Sequence, residues 1–125
     1  MIVLLGASAL ALAALQASMA APTSAFRGCL HEATARATSE KVSADTIEDY
    51  LRKACTVQMG SLRDALIAFR VKNGMSKKAA SDDAAMTIDD YVATPSDNYK
   101  FMAQQNAPQK ASAPQQPAGS QPQKQ

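Results

Sequence analysis

Between Phe26 and Phe69, apolar residues recur at helical spacing in two blocks either side of a polar break near Val42. In the first block Phe26, Cys29, Leu30, Ala33 and Ala37 follow one another at intervals of three and four. At about 100° per residue they fall within an arc of about 100°, the width of one buried stripe. Arg27, Glu32 and Arg36 lie outside it. The pattern predicts a helix over about 24–39, with Thr23 or Ser24 able to cap its first free N–H groups. Thr38-Ser39-Glu40-Lys41-Val42-Ser43 loses the pattern and reads as a turn.

The second block predicts a helix over about 45–73. Ile47, Leu51, Ala54, Cys55, Gln58, Met59, Leu62, Ala65, Leu66 and Phe69 fit an arc of about 140°, the strongest periodic signal in the chain. Asp45-Thr46-Ile47-Glu48 is a variant capping box for its start. Asn73-Gly74 supplies an end, because glycine accepts the left-handed conformation of a helix terminus. Gly60 lies inside the pattern, costs about 1 kcal/mol relative to alanine, and marks a place for a kink.

The chain's two cysteines, Cys29 and Cys55, each fall on the stripe of their own helix. Counting about ten or eleven residues to the turn on either side at about 1.5 Å each, both stand about 15 Å above it. Antiparallel helices therefore bring them level, and a disulfide between them closes a loop worth on the order of 3 kcal/mol. The reading is an all-α protein built on a disulfide-tied antiparallel helical hairpin.

The second helix outruns the first, so Met59, Leu62, Leu66 and Phe69 need another cover. A third, less regular helical segment over about 76–93 supplies it, with Ser76 as its cap. Its apolar positions are Ala79, Ala80, Met86, Ile88, Tyr91 and Val92, with a break near Ser81-Asp82-Asp83 and a second capping pattern at Thr87-Ile88-Asp89-Asp90. A homodimer covering the same stripe is the rival. Thr94-Pro95 reads as the end of helical structure, since proline disfavours helix in the residue before it. Tyr99, Phe101 and Met102 can fold back on the bundle. From Gln104 onward the chain is Gln, Pro, Ala, Ser and Lys, which buries too little to offset its ordering entropy and reads as a disordered tail.

The N-terminal segment is different in kind. Ile2 to Leu15 is an apolar run of about 14 residues, shorter than the roughly 20 of a membrane span. It ends in Gln16-Ala17-Ser18-Met19-Ala20, with small residues at the two positions a signal peptidase reads. The division expected is a signal peptide over 1–20, a helical domain over 21–103 and the tail over 104–125. The segment before the run carries no Lys or Arg, a departure from the usual leader. Two cysteines behind such a leader fit an oxidising compartment, periplasmic or extracellular. No stable membrane span then remains in the mature form.

Composition adds limits. Lys and Arg number 13 against 11 Asp and Glu, and the basic residues are scattered, with a pair as the longest run, which argues against nucleic acid. Aromatic residues make up 5% of the chain, and there is no Trp, so the core is thin. Cys29 and His31 are close in sequence, but two residues on a helix diverge, which removes a thiol–imidazole pair. No Cys-x-x-Cys is present. One His and two Cys fall short of a zinc ligand set, and Asp82, Asp83, Asp89 and Asp90 match no calcium loop. No catalytic serine, phosphate-loop or dinucleotide motif occurs, so neither a cofactor nor an enzymatic activity is expected. Arg70, Lys72, Lys77 and Lys78 gather at the end of the second helix, where they complement its dipole. With Met59, Leu62, Leu66 and Phe69 they form the candidate contact surface, for anionic lipid, lipopolysaccharide or an acidic protein.

Cys29, Cys55, Lys72-Asn73-Gly74-Met75-Ser76 and Asp89-Asp90-Tyr91 together resemble small secreted α-helical proteins of bacteria with no assigned activity. The resemblance spans roughly Phe26 to Tyr99 and implies a fold type and a cell-envelope setting, with no site residues carried over. The Leu-Thr-x-x-Gln motif of helical-hairpin periplasmic chaperones is absent. The function expected is a non-enzymatic, exported envelope protein acting through contacts with an envelope protein or surface. A holdase-like chaperone using the groove of the second helix, and a small thiol-redox protein, are the alternatives.

Overall fold

A computed structural model describes residues 8–107, with side chains from residue 18 onward. Much of the expected leader, and the expected tail of 104–125 past residue 107, lie outside the described residues; residues 104–106, expected to be disordered, are helical. Four α-helices form: α1 (Ser8–Glu40), α2 (Ile47–Ala54), α3 (Thr56–Lys72) and α4 (Lys77–Asn106), with a 3-10 turn at Ala44–Thr46 before α2 and no strand among the described residues.

The helices make a bundle of three arms. The first is α1. The second is α2 and α3 together, running antiparallel to α1, with Cys55 bonded to Cys29 and Phe69 beside Thr23. The third is α4, which returns parallel to α1: Phe26 meets Tyr91 edge-on at 6.2 Å, and further along Tyr99 reaches the carbonyls of Ala37 and Val42. The core holds Phe26, Leu30, Ala33 and Ala37 from α1, Ile47, Leu51, Cys55, Leu62 and Leu66 from the second arm, and Ala84, Ile88 and Val92 from α4. The expected stripes are therefore those the bundle buries. Four members point elsewhere: Ala54, Ala79 and Met86 are exposed and Phe69 lies at the rim. Third-arm cover of the long helix is supplied by α4, as the surplus stripe requires.

Helix boundaries differ from expectation in five places. First, α1 does not start at Thr23 or Ser24 but runs through them, with Pro22 inside it. Second, the capping box at Asp45 does not form. The chain instead makes the 3-10 turn, with the backbone N–H and hydroxyl of Thr46 both donating to the Ser43 carbonyl.

Third, the interruption of the long helix falls at Cys55 rather than Gly60. The Thr56 hydroxyl donates to the carbonyls of Arg52 and Lys53, competing with the main chain for them. The disulfide draws the same point towards α1. Fourth, α4 is unbroken at Ser81-Asp82-Asp83, because both carboxylates find cations: Asp82 pairs with Lys78 and Asp83 with Arg70 of α3. Fifth, α4 continues through Pro95 to Asn106. Val92, Ser96 and Tyr99 extend its packed face beyond the proline, and the buried Ser96 hydroxyl donates to the Val92 carbonyl at 2.8 Å. Tertiary packing outweighs the local preference of the Thr94-Pro95 step. Phe101 and Met102 stay exposed.

Both inter-arm turns close with a left-handed residue. After α3 it is Gly74 (φ 95°), with the Met75 N–H on the Arg70 carbonyl and the Gly74 N–H on the Val71 carbonyl. After α1 it is Lys41 (φ 55°), with the Val42 N–H on the Ala37 carbonyl. A side chain in this conformation costs roughly 1–2 kcal/mol. Tyr99 offsets it, since its hydroxyl donates to the Val42 carbonyl at 2.6 Å.

Candidate functional site

Cys29 and Cys55 are joined, Cα to Cα 5.8 Å, and no cysteine is free. Cys55 is fully buried and Cys29 half-buried. His31, two residues on, lies on another face of α1 and lines the groove between α1 and α4. Among the described residues no three His, Cys, Asp or Glu side chains gather where a metal ion could be held, and no helix is long and apolar enough to cross a membrane.

The expected contact surface is divided by the fold. Leu62 and Leu66 are in the core, and Met59 packs against it. The groove of the second helix is filled by α4 and α1, so these three residues are not open to a partner. Arg70 is also committed: its Nε pairs with Asp83, and Nη2 donates to the Thr87 hydroxyl at 3.1 Å. What remains open is Phe69, Lys72, Lys77 and Lys78, and the structure adds Val71 and Met75, 43% and 42% exposed. These residues sit at one pole of the bundle, around the α3–α4 turn. The addition was hidden in the sequence because neither Val71 nor Met75 lies on the helical stripe.

The same pole is where α1 leaves the bundle. Phe69 shares a cleft of about 720 Å³ with Met19, Ala20, Thr23 and Arg27. From Met19 back to Ser8 the helix extends beyond the turn. No family model, curated protein or solved structure matches the chain.

A second concave feature is the groove between α1 and α4, about 880 Å³, lined by Arg27, Leu30, His31 and Thr34 on one side and Asp90, Tyr91 and Pro95 on the other. Sequence reasoning missed it because it packed the third helix on the second and not on the first. Polar bridges elsewhere are structural. Arg52 pairs with Glu48 and, across to α4, with Asp89 at 2.8 Å. Partial desolvation works against the Arg52 charge, but the two carboxylates outweigh it and raise its pKa above the ordinary value. Desolvation against the bundle and a hydrogen bond to Glu40 raise the pKa of the Tyr50 hydroxyl.

Proposed function

We propose that this chain is a non-enzymatic, exported helical protein of the bacterial cell envelope, acting through a contact surface at the α3–α4 pole. The observation that carries the reading is the Cys29–Cys55 bond at the joint of the second arm, behind an apolar N-terminal run that ends in Ser18-Met19-Ala20. A disulfide that fixes the core of a small domain belongs in an oxidising compartment. Cleavage after Ala20 leaves Pro22 in the first turn of α1, where its missing N–H has no intrahelical partner to lose. The open Lys72, Lys77 and Lys78 beside Val71 and Met75 give the contact surface its character.

Cell fractionation of the producing bacterium, with N-terminal sequencing and thiol alkylation of the recovered chain, tests the proposal. The expected result is an exported chain beginning at Ala21 with both sulfurs protected until reductant is added. A cytoplasmic chain with both thiols alkylatable would overturn it.

A further inference from the structure

The pole around the α3–α4 turn combines three features. It carries open cations, Lys72 and Lys77, which make no ion pair among the described residues, and Lys78, whose pair with Asp82 is highly exposed and correspondingly weak. Between them it shows the apolar side chains of Val71 and Met75, with Phe69 at the rim. The turn that displays them is fixed by four backbone hydrogen bonds, from Asn73 to Phe69 and Arg70, from Gly74 to Val71 and from Met75 to Arg70. The lysines and apolar groups are thus presented on a formed surface.

The direction of α1 points to what that surface meets. The helix passes Phe69 at Met19 and Ala20 and continues beyond the turn to Ser8, about 16 Å further along its axis at 1.5 Å per residue. The sequence of that extension belongs to the apolar run Ile2–Leu15, which carries no charge. While the run is in a membrane, the Lys72–Lys78 pole is the part of the bundle held against the headgroups.

From this geometry we infer that the pole is a docking surface for an anionic lipid bilayer, on which the protein stays after the N-terminal run is gone. Lysine suits such a surface. Its ammonium is a mobile point charge on a flexible stem, which follows a diffuse negative layer, whereas paired recognition of a defined carboxylate favours the arginine fork. Of the two arginines near this pole, Arg70 is spent inside the bundle on Asp83 and Thr87, and Arg27 lines the cleft beside Phe69, to one side of the lysines. Val71 and Met75 enter the boundary between headgroups and acyl chains while the lysine stems snorkel beside them. The inference rests on the reading of the chain as an envelope protein but is tested apart from it, since vesicle binding does not depend on where a cell sends the chain.

The test is co-sedimentation of the exported protein, in whatever form export leaves its N-terminus, with vesicles of phosphatidylcholine alone and of phosphatidylcholine mixed with phosphatidylglycerol. The expected result is clear preference for the anionic vesicles, lost at high salt as screening shortens. Each lysine near an anionic surface contributes about fivefold, so Lys72→Gln with Lys77→Gln should cut anionic binding on the order of 25-fold and leave neutral binding unchanged. Both side chains are exposed and make no ion pair among the described residues, so helix content by circular dichroism should match the parent. A retained N-terminal run has no lysine or arginine and contributes equally to both vesicle types. Equal binding to the two, no binding to either, or a double variant that binds anionic vesicles as the parent does would overturn the inference. The absence of vesicle binding would leave the pole to an acidic protein.

Discussion

Removing the cross-link offers the sharpest quantitative test of the architecture. Cys29 and Cys55 are 26 residues apart. Restricting the unfolded chain over a loop of that length is worth about 3.5 kcal/mol at 25 °C in the chain-entropy account. Replacing both by alanine also empties a sulfur-sized space at Cys55, which is fully buried, for about 1 kcal/mol more. A domain of this size has only about 5–15 kcal/mol in total, so the double variant should lose a third of its stability or more. Urea unfolding followed by helix circular dichroism measures it. With a denaturant slope of about 1–2 kcal/mol per M, the midpoint should fall by about 2–4 M. The parent protein in reductant separates the two contributions, because it loses the cross-link but keeps the sulfurs in place. If reduction shifts stability by less than about 1 kcal/mol, the cross-link is not what holds the α1 arm to the joint, and the argument for it fails.

Three further outcomes are expected. Leu62→Ala should destabilise by about 2–5 kcal/mol in the same unfolding assay, whereas Val57→Ala, at a position 76% exposed, should stay within about 0.5 kcal/mol; similar small costs at both sites would mean that α4 does not cover the stripe. Tyr99→Phe should cost about 1 kcal/mol and speed amide exchange at Val42, whose N–H lies in the turn the hydroxyl steadies; unchanged exchange there would refute the clasp. For Tyr50 the folded pKa lies above the unfolded value of 10.0, so its neutral form favours the fold below pH 10 and that contribution fades as pH rises through the folded value. The parent should therefore lose more stability on alkaline titration than Tyr50→Phe, and identical alkaline profiles would count against the Glu40 bond.

Much of the bundle was legible because it rests on periodicity. Phe26, Leu30, Ala33, Ala37, Ile47, Leu51 and Leu62 sit in the core for the reason their spacing implies, and equal distances from the turn brought the cysteines level. Local rules placed breaks at Thr23, Gly60, Asp82 and Pro95. The last two were outweighed by contacts that a sequence window does not contain. Arg70 arrives from another helix to neutralise Asp83, and the Tyr99 anchor and the buried Ser96 carry α4 past its proline. Small buried residues also escaped notice: Ala84 and Ser96 give little apolar signal yet lie on α4's packed face. For the contact surface, residue type was readable and accessibility was not. Leu62 and Leu66 looked available only while their cover was unknown, and Val71 and Met75 looked incidental until the turn gave them a shared outlook.

The return of α4 alongside α1 separates the molecule's two extremities. α1 emerges beside Phe69, while α4 spans 30 residues, about 45 Å, from its start at that pole to its end at Asn106. Whatever follows Ala107 is therefore launched from the far side of a stiff rod. A body seated on its lysine-bearing foot would act as a post, with Ala107 at its top, well clear of the ground it stands on.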